Sequence, residues 1–158
     1  MIYPMHFKSR VPSFTLLLFF LGVSFTGISQ SFSFEIDHYS MIVKDLSTTG
    51  DYYQKVLGLK GIPHPGDADG FRWFTIDGRS QLHLIQKDSV PEEKSKSTHL
   101  CLSINDLMAF ITYLKENDTS FWDWSGAKGA ITDRADGVRQ IYLQDPEGNW
   151  IEINDAGK

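Results

Sequence analysis

The chain has 158 residues, a formal net charge of −5 and a pI near 5.4; 41% of its residues are hydrophobic and 22% charged. That is chain enough for one domain, or two small fused modules, around a buried core. No Lys/Arg run stands out, which excludes nucleic-acid binding through a basic footprint, and a single cysteine, Cys101, excludes both an intramolecular disulfide and a CxxC metal knuckle.

The first feature along the chain is Lys8 and Arg10 ahead of FTLLLFFLGV, within a run free of charge from Val11 to Ser33. These are the n-region and h-region of a secretory signal, with the small residues Gly27 and Ser29 placed for cleavage after Ser29. Residues 1–29 are therefore expected to be a signal peptide. The mature chain would be exported, periplasmic or secreted, without stable membrane association. The alternative is an uncleaved membrane anchor, for which the run is short.

FEIDHYSMIV (34–43) alternates and is rich in apolar and β-branched residues, which predicts a strand. Asp45 stands where an N-cap would, ahead of a helix over 46–57 that stops at Gly58, a C′ glycine. Three short strands follow: LKGI (59–62), FRWFTI (71–76) and QLHLIQ (81–86), with DGRS a tight-turn signal between the last two. Charged, Pro-containing 87–96 reads as a linker. His64, in GIPHPGDADG, reads as a loop histidine.

The grammar then repeats. THLCLSI (98–104) is a second strand, Asp106 a second N-cap, and residues 107–117 a second helix, with Leu107, Phe110, Ile111 and Leu114 in one apolar stripe. SFWDW (120–124), VRQIYLQ (138–144) and NWIEIN (149–154) read as its three strands. DPEG (145–148) has the Pro and Gly of a type I turn. At an offset of 61 residues His38 matches His99, Asp45 matches Asp106 and Tyr52 matches Tyr113. The prediction is an α+β domain over 34–155, built of two βαβββ modules, 34–86 and 97–155.

Side chains alternate between the faces of a strand. In four strands one face is apolar, whereas the other is mixed and carries His38, His83, His99 or Glu152. Any one of these alone reads as an exposed polar residue. Four at corresponding positions of a repeat converge if the two mixed faces line one cavity. Three imidazoles and a carboxylate suit a divalent metal such as Zn²⁺, Ni²⁺, Fe²⁺ or Mn²⁺. Gln140 and Tyr142 share the mixed face of their strand, and Tyr142 could donate to a substrate oxygen. Trp73, Trp124 and Trp150 read as apolar walls or as core.

At these residues the chain resembles the vicinal oxygen chelate superfamily, which includes glyoxalase I, fosfomycin-resistance proteins, bleomycin-binding proteins and extradiol dioxygenases. The marks are DHYSMIVKDLSTTGDYYQKVLGLK, STHLCLSINDL and QIYLQDPEGNWIEI. The resemblance implies a cupped mixed β-sheet with helices on its outer face, and one divalent metal held by His38, His83, His99 and Glu152. It implies a small-molecule substrate, a glyoxalase I-like lyase or isomerase with Glu152 doubling as base, and a homodimer as an open alternative for assembling the site. His83 stands where glyoxalase I usually has glutamate. An extradiol Fe²⁺ dioxygenase would need only His38, His99 and Glu152, and is the runner-up; a non-enzymatic binding protein is the third reading. Ser40 and Tyr142 match the fosfomycin-resistance branch, but the basic residues that branch needs beyond the final glutamate are missing, which disfavours phosphonates. Export would also separate the chain from glutathione, chiefly an intracellular thiol.

Overall fold

The structure is a computed structural model that describes residues 33–90 and 93–157; the expected signal peptide lies outside the described residues. The order is β1 (His38–Val43), α1 (Leu46–Lys55), β2 (Lys60–Ile62), β3 (Phe71–Thr75) and β4 (Gln81–Gln86). There follow β5 (His99–Ser103), α2 (Leu107–Glu116), β6 (Thr132–Asp133), β7 (Arg139–Gln144) and β8 (Trp150–Asn154). Each βαβββ set makes its own four-stranded mixed sheet, in the orders β1-β4-β3-β2 and β5-β8-β7-β6. In both, the first strand lies parallel to the last and the remaining pairs are antiparallel.

Local chemistry explains the helices. Asp45 accepts from the Thr48 N–H at 2.9 Å and Asp106 from the Ala109 N–H at 2.9 Å, each satisfying a free amide of the first helical turn. Helix α1 ends at Lys55, with Gly58 in the left-handed region beyond it (φ 67°), a conformation that favours glycine. Its buried Tyr53 faces the sheet, and α2 buries Leu107, Ile111 and Leu114. These join Val43, Leu82, Leu84, Ile141, Leu143 and Ile151 in a core shared by both modules.

Helix α1 stops two residues short of the predicted 57, and two predicted strands differ. Strand β1 starts at His38, so Phe34 and Ile36 remain exposed (91% and 78%). The sixth strand lies at Thr132–Asp133 instead of SFWDW, where Trp122 makes only isolated bridges to Lys128 and Tyr142. Asp123 explains the change: its side chain accepts from the Ser125 hydroxyl and the Ala127 N–H, turning the chain before a strand can form.

Candidate functional site

Register places the mixed-face residues in equivalent rows. Trp73 lies opposite His83, and His83 opposite Ser40, across β3, β4 and β1. Tyr142, Glu152 and Cys101 form the matching row across β7, β8 and β5. His38 and His99 sit two residues before Ser40 and Cys101 on the same faces.

In the second module Glu152 is buried and held on every side. Its Oε2 accepts the Tyr142 hydroxyl at 2.7 Å and lies 3.2 Å from His99 Nε2. Its Oε1 accepts Asn154 Nδ2 at 2.8 Å and the Cys101 thiol at 3.4 Å. Burial pushes this carboxyl up, but the hydrogen bonds from Tyr142, Asn154 and Cys101 and the nearby His99 outweigh it, and the group lies below its ordinary value. The same cluster acts oppositely on its neighbours. Desolvation and then Glu152 push the Cys101 thiol up to about 12, and burial and Glu152 raise the Tyr142 phenol, so both remain protonated donors.

His99 is oriented by the linker: its Nδ1 donates to the Lys96 carbonyl at 2.7 Å, which leaves Nε2 aimed at Glu152. Both nitrogens of the ring therefore face acceptors. Gln140 Nε2 donates to the Tyr142 oxygen at 2.6 Å, so the phenol is engaged on both sides. Lys96 closes this face, its ammonium 4.5 Å from the Trp150 ring centre and 5.3 Å from that of Tyr142 while donating to the Asp123 and Trp124 carbonyls. Exposed Trp124 leans against Tyr142, whereas Trp150 packs edge-on against Trp122.

The first module is built by stacking. The His83 ring lies between Trp73 (centroids 3.7 Å apart, 6° between planes) and His38 (4.4 Å, 15°). His83 Nε2 bonds Gln81 Oε1 at 2.8 Å, and His38 Nδ1 donates to Asp37 at 2.6 Å. Burial first, then the His38 ring, lower the His83 imidazole below its ordinary value and keep it neutral. His64 folds back from its loop onto Phe71 and Trp73, its Nδ1 accepting from the Gly66 N–H. Ser40 is exposed on β1.

The four predicted ligands thus fall into two pairs, His38 with His83 and His99 with Glu152. The pairs approach where β1 faces β5: a cleft of about 330 Å³ is lined by His38 and His99 together with Cys101, Tyr39, Leu100 and Leu102. The donor set suits a divalent ion, yet among the described residues no three His, Cys, Asp or Glu side chains are arranged to hold one. Chain reading missed Asn154, Cys101, Gln81 and Lys96. Alternation places the first three on the mixed faces of their strands, two residues from Glu152, His99 and His83, without marking them as site residues; the Lys96 contacts are non-local.

Known proteins are similar to this chain in sequence or in fold. YwbC of Bacillus subtilis (strain 168), itself uncharacterised, is 29% identical over 125 residues, 75% of this chain and 94% of that protein. Virulence protein STM3117 of Salmonella typhimurium is 30% identical over 132 residues, 75% of this chain and 82% of its own. The crystal structure of that virulence protein aligns with a TM-score of 0.59 at 24% identity, covering 78% of this chain and 98% of the other. Oxidase ChaP-H2 aligns with a TM-score of 0.60 at 19% identity, over 78% and 94% of the two chains, a likeness of fold. The family model described as the glyoxalase/bleomycin resistance protein/dioxygenase superfamily matches residues 35–153, both modules from before β1 into β8. With two βαβββ modules in register and that match over most of its length, the chain belongs to the glyoxalase/bleomycin resistance protein/dioxygenase superfamily.

Proposed function

We propose that this chain is a metal-dependent lyase or isomerase of glyoxalase I type, acting on a small substrate with adjacent oxygens, with His38, His83, His99 and Glu152 as ligands of one divalent ion. The observation that carries the reading is the His99–Glu152 pair. With Nδ1 spent on the Lys96 carbonyl, Nε2 faces a carboxylate oxygen at 3.2 Å, and two acceptors so close need a shared cation, a proton or a metal ion. His38 supports it from across the cleft: Nδ1 is tied to Asp37, which leaves Nε2 free. In this reading the ion is gathered from two prepared pairs, within one chain or with a second copy. When bound, such an ion polarises a substrate oxygen. The chain's own residues supply the rest. Tyr142 and Gln140 orient Glu152, and Glu152 must loosen one of its donors before it can accept a proton.

The same reading makes residues 1–29 an export signal, so the substrate is one available outside the cytoplasm; N-terminal sequencing of the mature protein checks the cleavage. The central test is metal content after chelation and reloading with Zn²⁺, Ni²⁺, Fe²⁺ or Mn²⁺. The expected result is one ion per chain, with affinity reduced by more than about tenfold in His99→Ala. Protein that takes up none of the four, with the variant indistinguishable, ends the reading. A Fe²⁺ dioxygenase is the second reading, favoured by His83, whose ring is stacked between two others and whose Nε2 is bonded to Gln81, which leaves His38, His99 and Glu152 as the ligand set. Catechol-dependent oxygen uptake by the iron-loaded protein separates the two.

A further inference from the structure

The rings of the first module form a graded column. Trp73 on β3, His83 on β4 and His38 on β1 stack in turn, and the planes stay within 6° and 15° of one another. β1 is the edge strand of its sheet, so the column ends there. The His38 side chain is 44% exposed, and the cleft it lines has β5 as its other wall. Ile36, Tyr39, Ile76, Leu100 and Leu102 make that cleft mainly apolar, with polar groups few and local: the two imidazoles, the Cys101 thiol, Ser80 and Gln81. An apolar cleft with a few convergent polar groups is the usual form of a small-molecule site, and about 330 Å³ suits one or two fused rings.

The geometry points to a planar aromatic ligand, a phenol or a fused-ring hydroxyarene, that adds the next ring to this column by stacking on His38 in the cleft between β1 and β5. Three observations favour a flat ring over a flexible aliphatic chain. The His38 imidazole, part-exposed and already aligned by two further rings, is flat and fixed in orientation. Asp37 holds that imidazole by Nδ1, so the ring does not have to be ordered when the ligand binds. His99, pinned through the Lys96 carbonyl, and the Cys101 side chain lie along the same cleft, where a ring hydroxyl can meet them. Offset stacking between aromatic rings adds to the gain from burial alone. The inference rests on the functional reading for the place of the site, and names the class of molecule the site takes. It requires no metal.

The test therefore uses metal-free protein after chelation, with 2-naphthol as probe and trans-1,2-cyclohexanediol as the non-planar control, by calorimetry and methyl NMR. Wild type should bind 2-naphthol and not the diol, with shifts at Ile36, Ile76 and Leu102. His38→Phe keeps a flat ring but no ligand nitrogen, and should retain affinity within about threefold; His38→Ala should lose about tenfold. Circular dichroism checks that both variants fold. Equal affinity for the diol, equal binding by His38→Ala, or no binding of 2-naphthol by folded wild type overturns the inference. The metal reading fails separately: chelated and reloaded protein that takes up no ion yet stacks 2-naphthol on His38 defeats that reading and sustains this one.

Discussion

Glu152 accepts from Tyr142, Asn154 and Cys101 and faces His99, with 5% of the residue exposed. A buried carboxylate survives only with such partners, and each bond to a charged acceptor is worth about 1.5–3 kcal/mol. Tyr142→Phe keeps the ring packing and removes one donor, so it should destabilise the metal-free protein by about 2 kcal/mol near neutrality. The sign with pH follows from the direction of the shift. The folded carboxyl lies below its ordinary 4.5, so its contribution is complete above that value and is lost as pH falls through the folded value. The gap between wild type and variant in urea unfolding should therefore narrow on acidification; a gap that stays constant contradicts the assignment. Period-two alternation made Glu152, Tyr142 and Gln140 legible as neighbours on one face. That Tyr142 is engaged by both Gln140 and Glu152 was not legible, because it depends on the distance between paired strands.

The helices and most strands follow from local rules. Both N-caps fall where an aspartate precedes an apolar periodic run, and both helices begin at the leucine that follows. Asp106→Ala should cost about 1 kcal/mol, read as a fall in the thermal midpoint, while Asp106→Asn should recover most of it. Full stability in the alanine variant would mean that packing of Leu107, Ile111 and Leu114 alone holds α2. The segment after α2 shows where local reading stops. SFWDW has the aromatic density of a strand, yet Asp123 ties down the loop, and Gly126 and Gly129 take positive φ (97° and 73°) just beyond it. Its aromatics serve the site instead: Trp122 bridges to Tyr142 and Trp124 leans on the same ring. A propensity reading recognises the rings but not the tertiary partner that turns them away from a ladder.

The repeat was visible as matched residues, but the bonds that tie its two copies are not, since they join positions 58 to 103 residues apart. Glu147, in the turn predicted as type I, accepts the backbone N–H groups of Lys44 and Asp45 at 2.7 Å each and so fastens the end of β1 to the β7–β8 turn. Tyr53 of α1 donates to Asp145 of that turn at 3.1 Å, and Tyr113 of α2 donates to the Lys55 carbonyl at 2.8 Å. With a common apolar core, these bonds should make the modules unfold together. Tryptophan positions allow a direct check, because Trp73 lies in the first module and Trp122, Trp124 and Trp150 in the second. In Trp73→Phe, fluorescence reports the second module while far-ultraviolet circular dichroism reports both, and the two urea transitions should coincide. Glu147→Ala in that background frees two exposed amides, so the shared midpoint should fall by the equivalent of about 1 kcal/mol without splitting. Two separated transitions would show modules that fold independently, and the cleft between β1 and β5 would then be a junction of loosely coupled parts instead of a preorganised site.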